Sequence, residues 1–320
     1  MKPAMRRVAL IYNPVSGQYS ARRKAAIGQT LAVLRDAGVA AEAMETKEAG
    51  EATVHARQAM NDGCDAVLAC GGDGTVHEIV QSLVGSDVAL GVIPLGTANA
   101  LAANLGLIGA PAKVARKLLE ALPTRISVGR IHYQDQGGNP GSRYFIVAAG
   151  IGADALVMSR LDARLKRRLG YVLYLIECFR TWATFSFPYF EAVLPENGNG
   201  GGRVVDVSQL LAVRVRSFGG VLNKLAPGAS LNNGNLSLLA FKTQSRMHYL
   251  KFLLAAMAGR HTFDGAVELL VTPSIECRAH NGFSETLFVE ADGEVLGILP
   301  VRMEIVPQSL TLLVPPDAQP

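Results

Sequence analysis

Cysteine is scarce, with four in 320 residues: Cys64, Cys70, Cys178 and Cys277. No pair has the spacing of a CxxC site, and Cys64 and Cys70 bracket an expected strand. Neither a disulfide framework nor a zinc site is indicated, which leaves the reduced thiols of a cytoplasmic protein. Aromatic residues make up only 6% of the chain and the formal net charge is only +4. Such a surface does not read as one that stacks nucleobases, so no nucleic-acid partner is expected. No apolar run reaches the roughly 18 residues of a membrane span. The nearest, "LGYVLYLIECFRTWATFSF", is interrupted by Glu177 and Arg180. The apolar run after the first basic residues is too short for a signal peptide. These absences predict a cytoplasmic protein, either soluble throughout or peripheral at the inner membrane face. The Walker A and G-x-S-x-G patterns are missing, as is a G-x-G-x-x-G run after a suitable strand. That excludes the usual nucleotide fingerprints and a serine-hydrolase triad. The six histidines show no metal-ligand spacing.

What is present is a globular composition, 49% hydrophobic and 18% charged, in a chain long enough for two cores. Up to about residue 124, strand-like runs ("RRVALIY", "VAAEAMET", "DAVLAC", "VALGVIP") alternate with helical ones. This predicts βαβ units on a parallel sheet. The strands are continuously apolar, as expected when helices cover both faces. From 125 to 300, short β-rich segments separated by glycine-rich loops predict an antiparallel domain, interrupted by helical stretches around 161–182 and 247–259. The extended tail, 300–320, either returns to the first domain or closes the second.

Three strand ends of the α/β part carry similar turns: "NPVSG" (Asn13–Gly17), "GGDGT" (Gly71–Thr75) and "PLGT" (Pro94–Thr97). In a parallel sheet they share the carboxyl edge, where helix N-termini offer N–H groups to an anion. Any one such turn is equally served by plain loop closure, but three at one edge favour a phosphate site. Thr75 and Glu78 match a capping box, which predicts that the helix begins at Thr75. Asp73 is the odd residue in a phosphate turn. It either bonds its own backbone or faces the phosphates through Mg²⁺ or water.

These motifs, in this order, resemble the catalytic domain of the diacylglycerol kinase and sphingosine kinase family, with bacterial lipid kinases as the nearest match. Downstream, "AAGIGADALV", "LKRRLGYVLYLI", "VEADGEVL" and "LPVRMEIVPQSLTLLVP" extend the resemblance over essentially the whole chain. It implies an NAD kinase/diacylglycerol kinase-like parallel sheet that binds nucleotide, followed by a β-rich, sandwich-like lipid-substrate domain. The implied activity is ATP- and Mg²⁺-dependent phosphorylation of a lipid hydroxyl on diacylglycerol, a sphingoid base or a related lipid. By position, Asn13, Pro14, Val15, Ser16, Gly17, Thr46, Gly71, Gly72, Asp73, Gly74, Thr75, Val76, His77 and Thr97 would contact the nucleotide. The general base would be Asp292 or Glu294, with Glu294 preferred. Read without the family, "LFVEADGEVLG" is a hairpin with an Asp-Gly turn.

The sequence departs from the family in two places. A loop that binds a structural Mg²⁺ in bacterial relatives would use Ser230, Asn233 and Asn235 here, and Asn233 stands where an aspartate is expected. An amide is the weaker ligand for a hard cation. The third turn reads "GTANAL", so Ala100 replaces a carboxylate near the nucleotide, which leaves the lipid class open. Arg160, Arg164, Lys166, Arg167 and Arg168 precede an apolar helical pattern. That suits either a transient membrane-surface contact or a buried helix with a solvated basic start. An NAD kinase-like enzyme and a catalytically silent nucleotide- or lipid-binding protein are the competing functions. Oligomeric state is not legible.

Overall fold

The computed structural model describes residues 5–14, 20–161, 171–195, 202–218, 225–259, 265–280, 286–318 and 320. They form two units: Met1–Val128 with Pro307–Pro320, and Gly129–Val306.

In the first unit β1 (Arg7–Tyr12), α1 (Ser20–Asp36), β2 (Ala40–Glu45), α2 (Glu51–Asn61), β3 (Ala66–Gly71), α3 (Asp73–Leu83) and β4 (Ala89–Pro94) alternate. The short α4 (Ala100–Asn104) and α5 (Pro111–Leu119) follow. All six residues of β3 are buried, as its unbroken apolar run requires. α1 ends where Gly38 takes φ +78 and Val39 N–H reaches back to the Leu34 carbonyl at 2.9 Å, a left-handed glycine stop. The strands pair in the order β2-β1-β3-β4, all parallel. The end of the last strand, β15 (Glu294–Val314), adds to β4 in the same sense. The strand order reverses between β1 and β3. That is the switch point at which open α/β sheets bind ligands.

The second unit is antiparallel. β12 (Val267–Thr272), β11 (Leu236–Phe241), β10 (Gln209–Val213), β7 (Ala148–Ile151) and β14 (Phe288–Ala291) pair in that order. β14 pairs onward with β15. β9 (Val204–Val207), β8 (Phe190–Val193) and β13 (Ser274–Arg278) lead back to β15 from the other side. The two layers share one core that includes Phe145, Phe190, Leu238, Val289 and Met303. Each such side chain contributes about 1.5–3 kcal/mol when removed from water. β5 (Leu122–Gln134) pairs through its second half with β6 (Pro140–Phe145). Among the described residues this unit has three helices: α6 (Ala153–Arg160), α7 (Tyr171–Thr184) and α8 (Arg246–Met257). A second apolar cluster under α8 joins Phe252 and Ala256 to Val213, Leu239 and Phe241.

Both unit boundaries fall inside long strands, β5 and β15, where composition shows no break. The expected continuous strand "RYFIVAAGIG" is two strands, β6 and β7. β9 and β13 have no counterpart in the sequence reading.

Candidate active site

The first unit brings together the ends of β1, β3 and β4. Asn13 and Pro14 follow β1, while Val15, Ser16 and Gly17 lie outside the described residues. Thr46 is buried after β2. Its N–H donates to the Tyr12 carbonyl at 2.9 Å, and its hydroxyl reaches the same oxygen at 3.4 Å. The GGDGT and PLGT turns interlock through bare backbone. Leu95 N–H bonds the Gly71 carbonyl at 2.8 Å, and a side chain on Gly96 would collide with Gly72 Cα. A side chain on Gly71 would collide with the Thr75 side chain. Close packing therefore accounts for Gly71, Gly72 and Gly96. Gly74 is different: it has nothing within 4 Å of the place a Cβ would take, and its φ is not positive.

α3 begins at Asp73, with Gly72 as an extended N-cap and no side-chain cap. This corrects the expected start at Thr75. The capping partner is spoken for elsewhere: Glu78 accepts the Ala52 N–H at 3.2 Å, in the first turn of α2. Val76 and His77 lie on the inner face together with Val80 and Leu83. His77 is only 1% exposed, so its side chain is not presented at the turn. Thr97 is exposed.

Asp73 reaches across to the neighbouring turn. One carboxylate oxygen accepts the Asn99 N–H at 2.9 Å and the other the Ala100 N–H at 2.7 Å. These groups lead into α4, whose N-terminal N–H groups have no intrahelical acceptor. Asn99 holds φ +52 there, and its side chain clasps Gly96 at both N–H and carbonyl.

In the second unit Asp292 and Gly293 take φ +48 and +84 between paired Ala291 and Glu294. That is a two-residue hairpin turn of the mirror-image type, as the Asp-Gly pair predicts. The Asp292 carboxylate accepts three backbone N–H groups, from Ile146 at 2.9 Å, Val147 at 2.8 Å and Ala148 at 3.0 Å. Glu294 opens β15 and is partly buried. The turn is held from a second side, where the buried Glu290 accepts the Gly293 N–H at 2.8 Å.

One acidic residue had no role in the sequence reading. Asp154, in the first turn of α6, buries both carboxylate oxygens, and neither accepts a well-formed hydrogen bond. It fills the space over Gly150, where any side chain would collide with it. Gly150 is the cross-strand partner of Glu290, so the two carboxyls are neighbours on one face. Burial pushes Asp154 up to about 7 against the pull of the Ala155 and Asp154 N–H groups. Burial and then the Asp154 charge push Glu290 well up in its turn. The only hint in the sequence was a glycine four residues before an aspartate. Both shifts have one sign, so their stabilising effect is full below the ordinary carboxylate range and fades as pH rises toward 7. The melting temperature of Asp154→Asn should accordingly fall less than that of the parent between pH 4 and 7. Parallel melting curves across that interval would contradict the burial.

The residues suggested for a structural metal are engaged within the protein. The Asn233 amide N–H donates to the Gly228 carbonyl at 2.8 Å, and the carbonyls of Asn233 and Asn235 accept from Arg214. Ser230 Oγ accepts the Asn232 N–H at 3.3 Å. Among the described residues no three His, Cys, Asp or Glu side chains cluster to hold an ion. Of the basic run, Arg160 is described and reaches Thr181 Oγ1 at 3.3 Å. Arg164, Lys166, Arg167 and Arg168 lie outside the described residues. α7 is not the buried helix its apolar pattern allowed, for Leu175, Ile176 and Phe179 are about half to two-thirds exposed. No helix among the described residues is long and apolar enough to cross a membrane.

A parallel sheet with glycine turns at its switch point, followed by a sandwich carrying a clamped acidic hairpin, places the chain among the two-unit kinases. Residues 7–131 match the diacylglycerol kinase catalytic domain, and residues 146–314 match the YegS C-terminal NAD kinase beta sandwich-like domain. A probable YegS-like lipid kinase of Chromohalobacter salexigens is 32% identical over 317 residues, covering 96% of this chain and 92% of its own. A diacylglycerol kinase of Bacillus subtilis is 29% identical over 299 residues, 92% of each. The crystal structure of a putative diacylglycerol kinase from Bacillus anthracis shares the fold. Its TM-score is 0.77 at 21% identity, and the match covers 99% of this chain and 100% of that one. The chain belongs to the YegS-like lipid kinases, with a diacylglycerol kinase catalytic domain in its first part.

Proposed function

We propose that this chain transfers the γ-phosphoryl group of ATP to the hydroxyl of a membrane-derived lipid, with diacylglycerol as the first candidate. The observation that carries the donor half is Gly74, which neither packing nor φ requires to be bare. It lies in the first turn of α3 beside the switch point, where N–H groups and the helix dipole favour a phosphate. Mg²⁺ belongs to the nucleotide in this reading and would supply partial neutralisation of its phosphate charge.

The acceptor half rests on the hairpin in the second unit. Three backbone donors occupy Asp292, so it serves as the clamp and Glu294 as the general base. The lipid oxygen bonds to the γ-phosphorus as its proton passes to Glu294. The bond from that phosphorus to the β,γ-bridging oxygen breaks, and ADP leaves. A bilayer contact is consistent with the exposed apolar residues of α7 and α8, among them Phe179, Met247 and Leu254, flanked by Arg180 and Arg246.

One assay tests this reading. The purified chain is given γ-labelled ATP with Mg²⁺ and, separately, diacylglycerol, a sphingoid base, phosphatidylglycerol and NAD. The lipids are offered both in detergent micelles and in anionic vesicles. Label should move to a lipid, and Phe179→Asp should lose transfer from vesicles but not from micelles. Label in NAD alone would overturn the lipid assignment, and ATP binding with no transfer at all would make the chain a silent binder. Equal vesicle activity in Phe179→Asp would remove the bilayer contact.

A further inference from the structure

Arg214 is one of the most deeply buried side chains in the second unit, only 1% exposed at the end of β10. A guanidinium is a planar, permanently charged group, costly to bury unless its N–H donors are met. Here one short loop accepts three hydrogen bonds from Nη1 and Nη2, and the buried Nε is not among the donors it meets. Nη1 donates to the carbonyls of Asn233 at 3.2 Å and Asn235 at 3.0 Å, and Nη2 to that of Leu231 at 3.1 Å. The loop from 225 to 235 reads "LAPGASLNNGN" and contains no carboxylate. The cation is therefore solvated by carbonyl dipoles, the donor set a hard metal ion would use. Burial draws its pKa down only to about 10, so it stays charged at neutral pH.

A divalent ion and this guanidinium would compete for the same oxygens and would repel each other. Asn233 reinforces the choice. Its side-chain N–H is turned to the Gly228 carbonyl, where an aspartate would have offered a second negative oxygen. We infer that Arg214 is a built-in cation that organises the segment 225–235 before β11 in place of a divalent metal. The pairing of arginine with asparagine is then one adaptation at two positions. A metal would bring the carboxylate with it, and the guanidinium makes the carboxylate unnecessary. The inference depends on no choice of lipid or catalytic base.

The test follows melting temperature in the full-length protein without nucleotide, in EDTA and in MgCl₂. The parent should melt at the same temperature in both. Arg214→Met should lower it by about 5–10 °C, with no recovery in MgCl₂. Arg214→Lys should lie between, since an ammonium keeps the charge but loses the planar fork. Arg214→Met combined with Asn233→Asp restores an oxygen site, and Mg²⁺ should raise its melting temperature above the EDTA value. A parent stabilised by MgCl₂, or an Arg214→Met protein as stable as the parent, would overturn the inference. The parent comparison stands even if Arg214→Met fails to fold.

Discussion

Glu294→Gln is expected to lower kcat by about 10²–10⁴-fold while leaving the KM for ATP and the melting temperature nearly unchanged. Glutamine keeps the size and polarity of the side chain and removes only its capacity to take the lipid proton. The nucleotide turns belong to the other unit, so ATP affinity has no reason to move. Asp292→Asn should behave differently. An amide has one acceptor oxygen for the three N–H groups of Ile146, Val147 and Ala148, and its own N–H₂ would face donors. Leaving such groups unmet costs about 1–3 kcal/mol. Stability and kcat should then fall together. Steady-state kinetics with a lipid in detergent micelles, alongside thermal melts of both variants, separate the two roles. Turnover near the parent value in Glu294→Gln would move the base to another group.

The sequence was most legible where one local rule decides the outcome. Continuous apolar runs marked β1, β3 and β4, though not the edge strand β2, which is mostly exposed, and the Asp-Gly pair marked the hairpin at 292–293 with its left-handed φ values. It was least legible where a polar side chain is claimed by a distant backbone. Glu78 looked like half of a capping box at Thr75, yet it caps α2, 26 residues earlier. The helix therefore starts two residues earlier than the box predicts, and His77 is buried rather than presented to a nucleotide. Asp292 is locked by N–H groups about 145 positions upstream, which no window of sequence contains. In "VRVRSF" nothing local distinguishes the two arginines. Arg216 is exposed, but Arg214 is buried, because the loop that accepts it begins a dozen residues later. Asn233 was noticed as a missing carboxylate, whereas its compensation at 214 becomes visible only in three dimensions.

Asp73 carries the second large effect. Its carboxylate ties the first turn of α3 to the start of α4 through Asn99 and Ala100, across turns that touch at Gly72 and Gly96. Asp73→Ala would leave both N–H groups without that acceptor and release the PLGT turn from the GGDGT turn. The kcat/KM for ATP should fall about 10²-fold, since a displacement on the scale of 1 Å is enough for a loss of that size. The melting temperature should fall as well. Asp73→Asn separates the clasp from any part in charge. It keeps one acceptor oxygen and turns an N–H₂ toward a backbone donor, so a clasp alone predicts a loss that raising Mg²⁺ does not recover. A carboxylate that also faces the metal on the nucleotide predicts a raised Mg²⁺ requirement, and recovery as Mg²⁺ is increased. ATP turnover titrated with Mg²⁺ distinguishes the two, and parent-like kinetics and stability in Asp73→Ala would defeat both. The negative charge in a glycine turn is then no anomaly beside phosphates. It is directed at the neighbouring backbone, and the bare position left at the turn is Gly74.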